Sequence, residues 1–357
     1  MKVCILGGSL TSLTVAKALI NKGIYVDIFF DQRKQIQDKS RTLGISKSSI
    51  EFFNKEILNI EKLLWNINKI EINSENLDNK QILNFENNNQ MLFSITENFK
   101  LYNYLLLNIK KSTYLKFKVK KESLNHIRKK YQLIINCEKN NELTKKYFHK
   151  KLSKNYDCYA YTAIMEHKKL SNNHVALQVF TKNGPLAFLP ISNMKTSLVY
   201  SFQGKNDFDF KKEVKKYNQR YQIIKISEPK KTILNSSDLR NYYHDNILAF
   251  GNLAHKIHPL AGQGFNMSIR DLKELLRIVQ FKLDHGLELD RSICQEFEKK
   301  RKHKNFIFAS GIDIIYELFK FESKTKNDTL SRLIKSLGNH KFINKTFSKF
   351  ADVGIIN

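Results

Sequence analysis

The sequence predicts an α/β fold: a parallel-sheet βαβ domain, interrupted by an inserted mixed or antiparallel β-sheet and completed by C-terminal helices. Three observations predict it. The chain opens on a strand, a glycine turn, an amphipathic helix and a second strand. Its middle is a succession of short β-rich runs. Near residue 250 an apolar run meets a glycine-dotted loop, after which the pattern turns helical.

"KVCILGG" is a short apolar run ending in glycines, which reads as a strand of a buried parallel sheet. In "SLTSLTVAKALINKG", Leu10, Leu13, Val15, Ala16, Leu19 and Ile20 give a helical apolar face, and Gly23 stops the helix. "IYVDIFFD" is a second β-rich run, ending in Asp31. Strand, glycine turn, helix, strand and acidic residue make the opening of a Rossmann-like nucleotide-binding unit. In the turn, Gly7-Gly8-Ser9-Leu10-Thr11-Ser12, glycine fills the first fingerprint position, and Ser9 and Ser12 stand at the other two. Each serine adds a Cβ where bare backbone best admits a diphosphate or the neighbouring strand. The N–H groups at the helix start still offer an anion site. Asp31 is placed to accept hydrogen bonds from a ribose hydroxyl. An ordinary strand-to-helix turn and a solvated strand-end aspartate fit the same residues.

With 357 residues and 41% hydrophobic content, the chain can bury the core of one large domain or two medium ones. No uncharged apolar stretch is long enough for a transmembrane helix. "MKVCILGG" reads directly into a strand without the regions of a signal peptide, so a cytoplasmic location is expected. Cys4, Cys137, Cys158 and Cys294 are far apart with no CxxC pair, which points to buried free thiols and no metal site. The net charge of +27 suits a nucleic acid or an anionic membrane. Lysine, asparagine and isoleucine are abundant throughout, however, and no zinc finger or RNA-binding aromatic motif is present. Compositional drift is therefore expected, with no nucleic-acid partner. A basic surface still suits lipid headgroups.

In the middle of the chain, "INKIEINS", "KQILNFENN" and "MLFSI" read as short antiparallel strands, followed by a helix near "ENFKLYNYLLLNIKK". "YLKFKVKK" and "YQLIINCE" are further strands. "DCYAYTAIMEH", "VALQVFTKN", "PLAFLPIS" and "TSLVYSF" alternate like a second sheet. "NILAFGN" returns to the first pattern, and the remainder from about Ser268 is mostly helical. The expected division is a discontinuous nucleotide domain over 1–65, 96–155 and 240–330. A β-sheet domain takes 66–95 and 156–239, and a helical segment takes 331–357.

"GNLAHKIHPLAGQGFNMSIRDLKEL", Gly251–Leu275, holds three of the chain's 13 glycines and one of its four prolines. Such a loop can lay bare backbone against a flat ligand and aim N–H groups at an electron-rich edge. His255 and His258 have HxxH spacing, but no nearby carboxylate–histidine cluster supports a metal, so packing or a ligand-facing role is expected.

This stretch resembles the loop GDAAHxxHPxxGQGxNxGxRD of the flavin-dependent aromatic-ring hydroxylases of ubiquinone biosynthesis, relatives of para-hydroxybenzoate hydroxylase. "SRTLGIS" resembles that family's arginine-bearing segment. "NKIEI" with "MLFSITENFKLYNYL", "YTAIMEH" and "FTKNGPLAFLPIS" resemble its other signatures, in order and over nearly the whole chain. The resemblance implies FAD as cofactor and NAD(P)H as co-substrate. Gly7, Gly8, Ser9 and Ser12 would line the FAD pyrophosphate, and Asp31 the adenosine ribose. Arg41 would contact the flavin nucleotide, with Gly251 and Asn252 near the ribityl-phosphate region. Pro259, Gly262, Gln263, Gly264 and Asn266 would lie beside the isoalloxazine ring. No protein side chain need be catalytic, because the flavin carries the chemistry.

The chain departs from the family pattern in three places. An Asp-Gly pair appears as Glu138-Lys139 after Cys137, the family's loop Asp is Asn252, and two fingerprint glycines are serines. The resemblance implies a monooxygenase acting on a polyprenylated phenol or quinol, working peripherally on the inner face of a membrane, with a quinone-biosynthesis complex as possible partner. The alternative is a flavin-poor, non-catalytic accessory subunit of such a complex.

Overall fold

The computed structural model describes residues 1–30, 38–86, 90–118, 124–204, 208–258 and 262–325, with Arg332 and Asp352. Strand β1 (Lys2–Leu6) is buried on both faces from Val3 onward. The chain turns at Gly7, whose φ of +104° is a left-handed conformation that glycine adopts without strain. Helix α1 (Leu10–Asn21) starts on the Ser9 side chain, which accepts from the Ser12 N–H. It ends before Gly23, at φ +72°. Strand β2 (Tyr25–Phe29) then pairs parallel with β1.

Next come β3 (Thr42–Ser46), α2 (Lys47–Glu56), β4 (Trp65–Ile67), β5 (Lys69–Ser74), β6 (Lys80–Glu86) and β7 (Phe93–Glu97). Helix α3 (Asn98–Lys110), β8 (Leu115–Lys118), α4 (Leu124–Lys130), β9 (Ile134–Asn136) and α5 (Glu142–Tyr147) follow. The chain then runs through β10 (Lys151–His167), β11 (Val175–Thr181), β12 (Gly184–Pro190) and β13 (Lys195–Phe202). Helix α6 (Phe210–Tyr217), β14 (Ile223–Ile226) and β15 (Lys230–Leu239) lead to β16 (Tyr243–His244), β17 (Ile247–Ala249) and β18 (His255–Lys256). The described elements close with α7 (Gln263–Asp284) and the 35-residue α8 (Arg291–Thr325).

Among the described residues these strands form three sheets. The first has the order β16-β17-β9-β1-β2-β8 and is parallel except for β16 at its edge. Its strand order reverses direction at β1, so the crevice between the carboxyl ends of β1 and β9 is the topological switch point where such sheets take ligands. The second follows β18-β15-β10-β13-β12-β11-β5-β6, with β14 on β10. It is antiparallel except where β5 joins β11 in parallel. The third is the antiparallel β3-β7-β4.

The architecture is the predicted one: a Rossmann-like α/β domain, a mixed sheet and C-terminal helices. Two details differ. β7 stands apart from β5 and β6, pairing antiparallel with β3 and β4 in the small sheet. Helix α7 begins at Gln263, five residues before the expected Ser268. Gly262, at φ +64°, turns the chain directly into the helix, and Gly264 is tolerated there because first-turn N–H groups have no intrahelical partner.

A large apolar core joins the parallel sheet to α1, α3 and α7, with Leu13, Leu19, Leu105, Leu275 and Val279 fully buried. A second core lies between the long sheet and α6, built from Ala163, Phe188, Leu198, Tyr200 and Val214. Burial of these side chains, each about 1.5–3 kcal/mol, holds the two layers together.

Candidate functional site

Four segments near the switch point carry the candidate residues. The first is the turn after β1. Gly7 and Gly8 are buried and Ser9 is exposed at the helix start. A Cβ on Gly7 would stand 3.3 Å from Glu138 Cβ, and one on Gly8 would collide with the Phe30 ring at 2.2 Å. These glycines therefore serve packing as well as any ligand. The Ser9 and Ser12 hydroxyls hydrogen-bond to each other at 2.9 Å, and Ser12 is buried. The two serines that replace fingerprint glycines satisfy one another within the turn. Asp31 and Pro259 lie outside the described residues.

The second segment carries Arg41. Ser40 shares a hydrogen bond with Thr162 at 3.0 Å, and Thr42 one with Ser197 at 2.9 Å, pinning this stretch to β10 and β13 of the long sheet. Asp38 accepts from the Ser40 N–H and hydroxyl and pairs with Lys230 at 3.0 Å. Arg41 reaches solvent and has no ion pair among the described residues. Protein atoms crowding its guanidinium nevertheless hold its pKa below the usual value, against the pull of Asp38.

The third segment joins β3 to the first turn of α7. Asn266 is buried and bridges the two chains of this seam. Its Oδ1 accepts from the Ser46 N–H at 3.0 Å, and its Nδ2 donates to the Gly44 carbonyl at 2.9 Å. The site of a Cβ on Gly262 lies 3.4 Å from the Gly44 nitrogen, so loop and strand touch backbone to backbone. A Cβ on Gly264 would meet nothing within 4 Å. The Gln263 side-chain oxygen beside it is buried and has no hydrogen-bond partner among the described residues. An open cradle at Gly264 and an unsatisfied buried acceptor are features a bound polar, flat ring would complete.

The fourth segment is Gly251–Asn252. Gly251 has φ +62°, and a Cβ there would lie 2.8 Å from Thr11 Cγ2. Asn252 is exposed. Beyond it, His255 Nε2 contacts Asp271 Oδ2 at 2.5 Å, and Arg301 Nε donates to Asp271 Oδ1 at 2.7 Å. The Asn305 amide donates to both Asp271 oxygens. Burial opposes the Asp271 charge, but Arg301, His255 and Asn305 outweigh it and hold the carboxyl at about 2. His258 packs edge-on to Tyr156 with ring centroids 4.7 Å apart, and burial holds its pKa down to about 4. His255 and His258 are thus spent on an ion network and on packing. Among the described residues no group of three metal-binding side chains occurs.

Sequence reasoning singled out Arg41 but missed the lysines that act on it and on one another electrostatically, Lys139, Lys151 and Lys256. Their positions, far apart in a lysine-rich sequence, gave no local signal. It also missed Asp271, whose 16-residue separation from His255 is bridged only by the fold.

No protein-family model matches the chain. Over 152 residues it is 29% identical to the 3-demethoxyubiquinol 3-hydroxylase of Escherichia coli, covering 40% of this chain and 39% of that protein. Over 243 residues it is 23% identical to the mitochondrial ubiquinone biosynthesis monooxygenase COQ6 of Schizosaccharomyces pombe, covering 54% and 50%. The chain is similar in sequence to ubiquinone-biosynthesis hydroxylases over these segments. The matches span half or less of those relatives' own lengths. Among solved structures, the p-nitrophenol 4-monooxygenase PnpA of Pseudomonas putida superposes with a TM-score of 0.75 at 10% identity, covering 99% of this chain and 98% of that one. The HpxO of Klebsiella pneumoniae, solved with FAD and uric acid, gives 0.74 at 10% identity, covering 99% and 96%. The fold is that of the FAD-dependent monooxygenases.

Proposed function

We propose that this chain is an FAD-dependent aromatic-ring hydroxylase, using NAD(P)H and O2 on a polyprenylated phenol or quinol precursor in ubiquinone biosynthesis. The observation that carries the reading is the seam in which Asn266 ties Gly44 and Ser46 to the loop while Gly264 faces open space. In this reading Gly7, Gly8, Ser9 and Ser12 line the pyrophosphate, Asp31 takes the ribose, and Arg41 approaches the flavin nucleotide. Gly251 and Asn252 flank the ribityl chain, and Pro259, Gly262, Gln263, Gly264 and Asn266 border the ring. The chemistry FAD supplies when bound is uptake of a hydride from NAD(P)H and transfer of one oxygen atom of O2 to the aromatic ring.

The chain's own residues orient and enclose. The backbone of Gly262–Gly264 presents N–H groups at the positive end of α7, a suitable neighbour for an electron-rich ring edge. The Gln263 amide oxygen, desolvated, can accept from a ring N–H. The long sheet, with residues 66–95 and 156–239, is the proposed substrate side. Among the described residues no helix is long and apolar enough to cross a membrane. A peripheral membrane placement is supported by the charge of +27 and by α8, where Ile307, Ile314 and Leu318 are exposed on one helical face. Membership of a quinone-biosynthesis complex belongs to the same proposal.

The test is the quinone-intermediate profile of a strain lacking the gene, with turnover of the accumulated precursor by purified protein and NAD(P)H. Accumulation of a precursor one hydroxyl short, hydroxylated on adding the protein, is expected. An unchanged profile contradicts the reading. Accumulation without turnover by a flavin-free protein favours the accessory-subunit alternative.

A further inference from the structure

Lys139 leaves the carboxyl end of β9, beside Gly7 of the dinucleotide-type turn, because Glu138 Cβ stands against Gly7. Lys151 opens β10 and Lys256 lies on β18. Ser153 and Lys256 both pair with Ser237, and Lys151 is two residues from Ser153, so strand alternation puts Lys151 and Lys256 on one face of the sheet. Arg41 is held over the same sheet by the Ser40–Thr162 and Thr42–Ser197 hydrogen bonds. Four cations from four segments therefore converge on the switch-point crevice.

Among the described residues Arg41, Lys139 and Lys151 have no ion pair, and the Lys256 ammonium bonds only the neutral amide of Asn235. Asp38, the carboxylate facing Arg41, is engaged by Ser40 and Lys230. Lys139 and Arg41 reach solvent, yet protein atoms crowd them. That crowding, followed by repulsion from Lys256, Lys151 and Arg41, lowers Lys139 to about 8. Lys256 is lowered too, by burial, Arg41 and Lys151. A folded protein that concentrates desolvated, mutually repelling cations in a crevice is organised for an anion.

We propose that Lys139, Lys151 and Lys256, with Arg41, form a side-chain cradle for a nucleotide diphosphate. Here side-chain cations take over contacts that the serine-substituted turn offers less well. That the diphosphate belongs to FAD rests on the reading above, whereas the anion site does not.

The test uses the full chain, freed of nucleotide, and the triple variant Lys139→Met, Lys151→Met, Lys256→Met. Lys211→Met, whose ammonium pairs with Glu228 on another face, is the control. The probes are inorganic pyrophosphate, FAD, riboflavin and NADPH, followed by calorimetry and thermal shift. Pyrophosphate is expected to bind the native chain with steep salt dependence, and affinity to fall about tenfold per lysine removed. The unliganded triple variant should melt higher than the native chain, because repulsion is gone; a folding defect would lower it. FAD affinity falling with pyrophosphate affinity, while riboflavin binding holds, assigns the diphosphate to the flavin. The same fall for NADPH alone keeps the cradle and assigns it to the pyridine nucleotide. Pyrophosphate binding with no flavin binding keeps the cradle and removes the hydroxylase reading. Unchanged pyrophosphate and FAD affinities in the triple variant overturn the cradle and leave the hydroxylase reading standing.

Discussion

The His255 imidazole and the Asp271 carboxylate meet at 2.5 Å in the interior, tying the segment after Gly251 to the helix that follows the glycine loop. Arg301 of α8 closes the group on the other carboxylate oxygen. The loop is thus anchored at both ends by one buried charge. Asp271→Asn leaves the Arg301 charge uncompensated and takes the carboxylate from His255 and Asn305, and removal of one member of a buried ion network costs roughly 3–5 kcal/mol. Urea unfolding should show a loss of that order, and Ser227→Ala, remote from the network, should not.

The same carboxyl sets an acid limit. Its folded-state pKa is lowered from 3.8 to about 2, so its contribution is complete above the unfolded value and disappears as pH falls through that window. The difference corresponds to about 2 kcal/mol. Stability measured from pH 5 to pH 2 should fall along this limb in the native chain, and the fall should be shallower in Asp271→Asn.

Lys139 sets the opposite slope at alkaline pH. Its folded pKa lies near 8, below the usual 10.5, so carrying the charge is a penalty in the folded state. That penalty is full below about 8 and is relieved as pH rises toward the unfolded value. The unliganded chain should therefore melt higher at pH 9 than at pH 7, net of other titrations, and Lys139→Met should reduce that rise.

Two glycines of the site should respond differently to substitution. Gly251→Ala forces a side chain into φ +62° and against Thr11, at a cost of roughly 1–3 kcal/mol, so the melting temperature drops. Gly264→Val adds bulk where no protein atom stands, so the fold should keep its stability to within about 1 kcal/mol of helix propensity. FAD affinity should nevertheless fall steeply, as read by fluorescence titration.

Asn266→Leu keeps the volume and strips both hydrogen bonds from the seam. The Ser46 N–H and Gly44 carbonyl lose their partner, a loss of about 2 kcal/mol that thermal unfolding should register. Ser9→Gly with Ser12→Gly should act in reverse on the cofactor. It loses a helix cap worth a few tenths of a kcal/mol and exposes bare backbone, so FAD binding should tighten.

The βαβ opening was legible because a twice-buried strand, a glycine turn and a helical stripe are local patterns. The late loop was legible because its glycines are concentrated in an otherwise glycine-poor chain. The parallel pairing of β5 with β11 was not, since register between strands a hundred residues apart leaves no mark on either. Nor was the start of α7, because Gly262 and Gly264 read as loop until Gly262 is seen to turn the chain into the helix. The cation cluster was hidden in plain composition: among 61 basic residues, only the fold singles out Lys139, Lys151 and Lys256.

The central claim is that the seam between Gly44–Ser46 and Gly262–Asn266 receives a flavin. The most direct measurement is the stoichiometry of FAD, by absorbance and by nucleotide released on heating, in the purified chain after incubation with excess cofactor and gel filtration. The account predicts one FAD per chain, lost in Gly264→Val while that variant stays folded. A folded native chain that retains no FAD, or a Gly264→Val variant that retains it fully, contradicts the account.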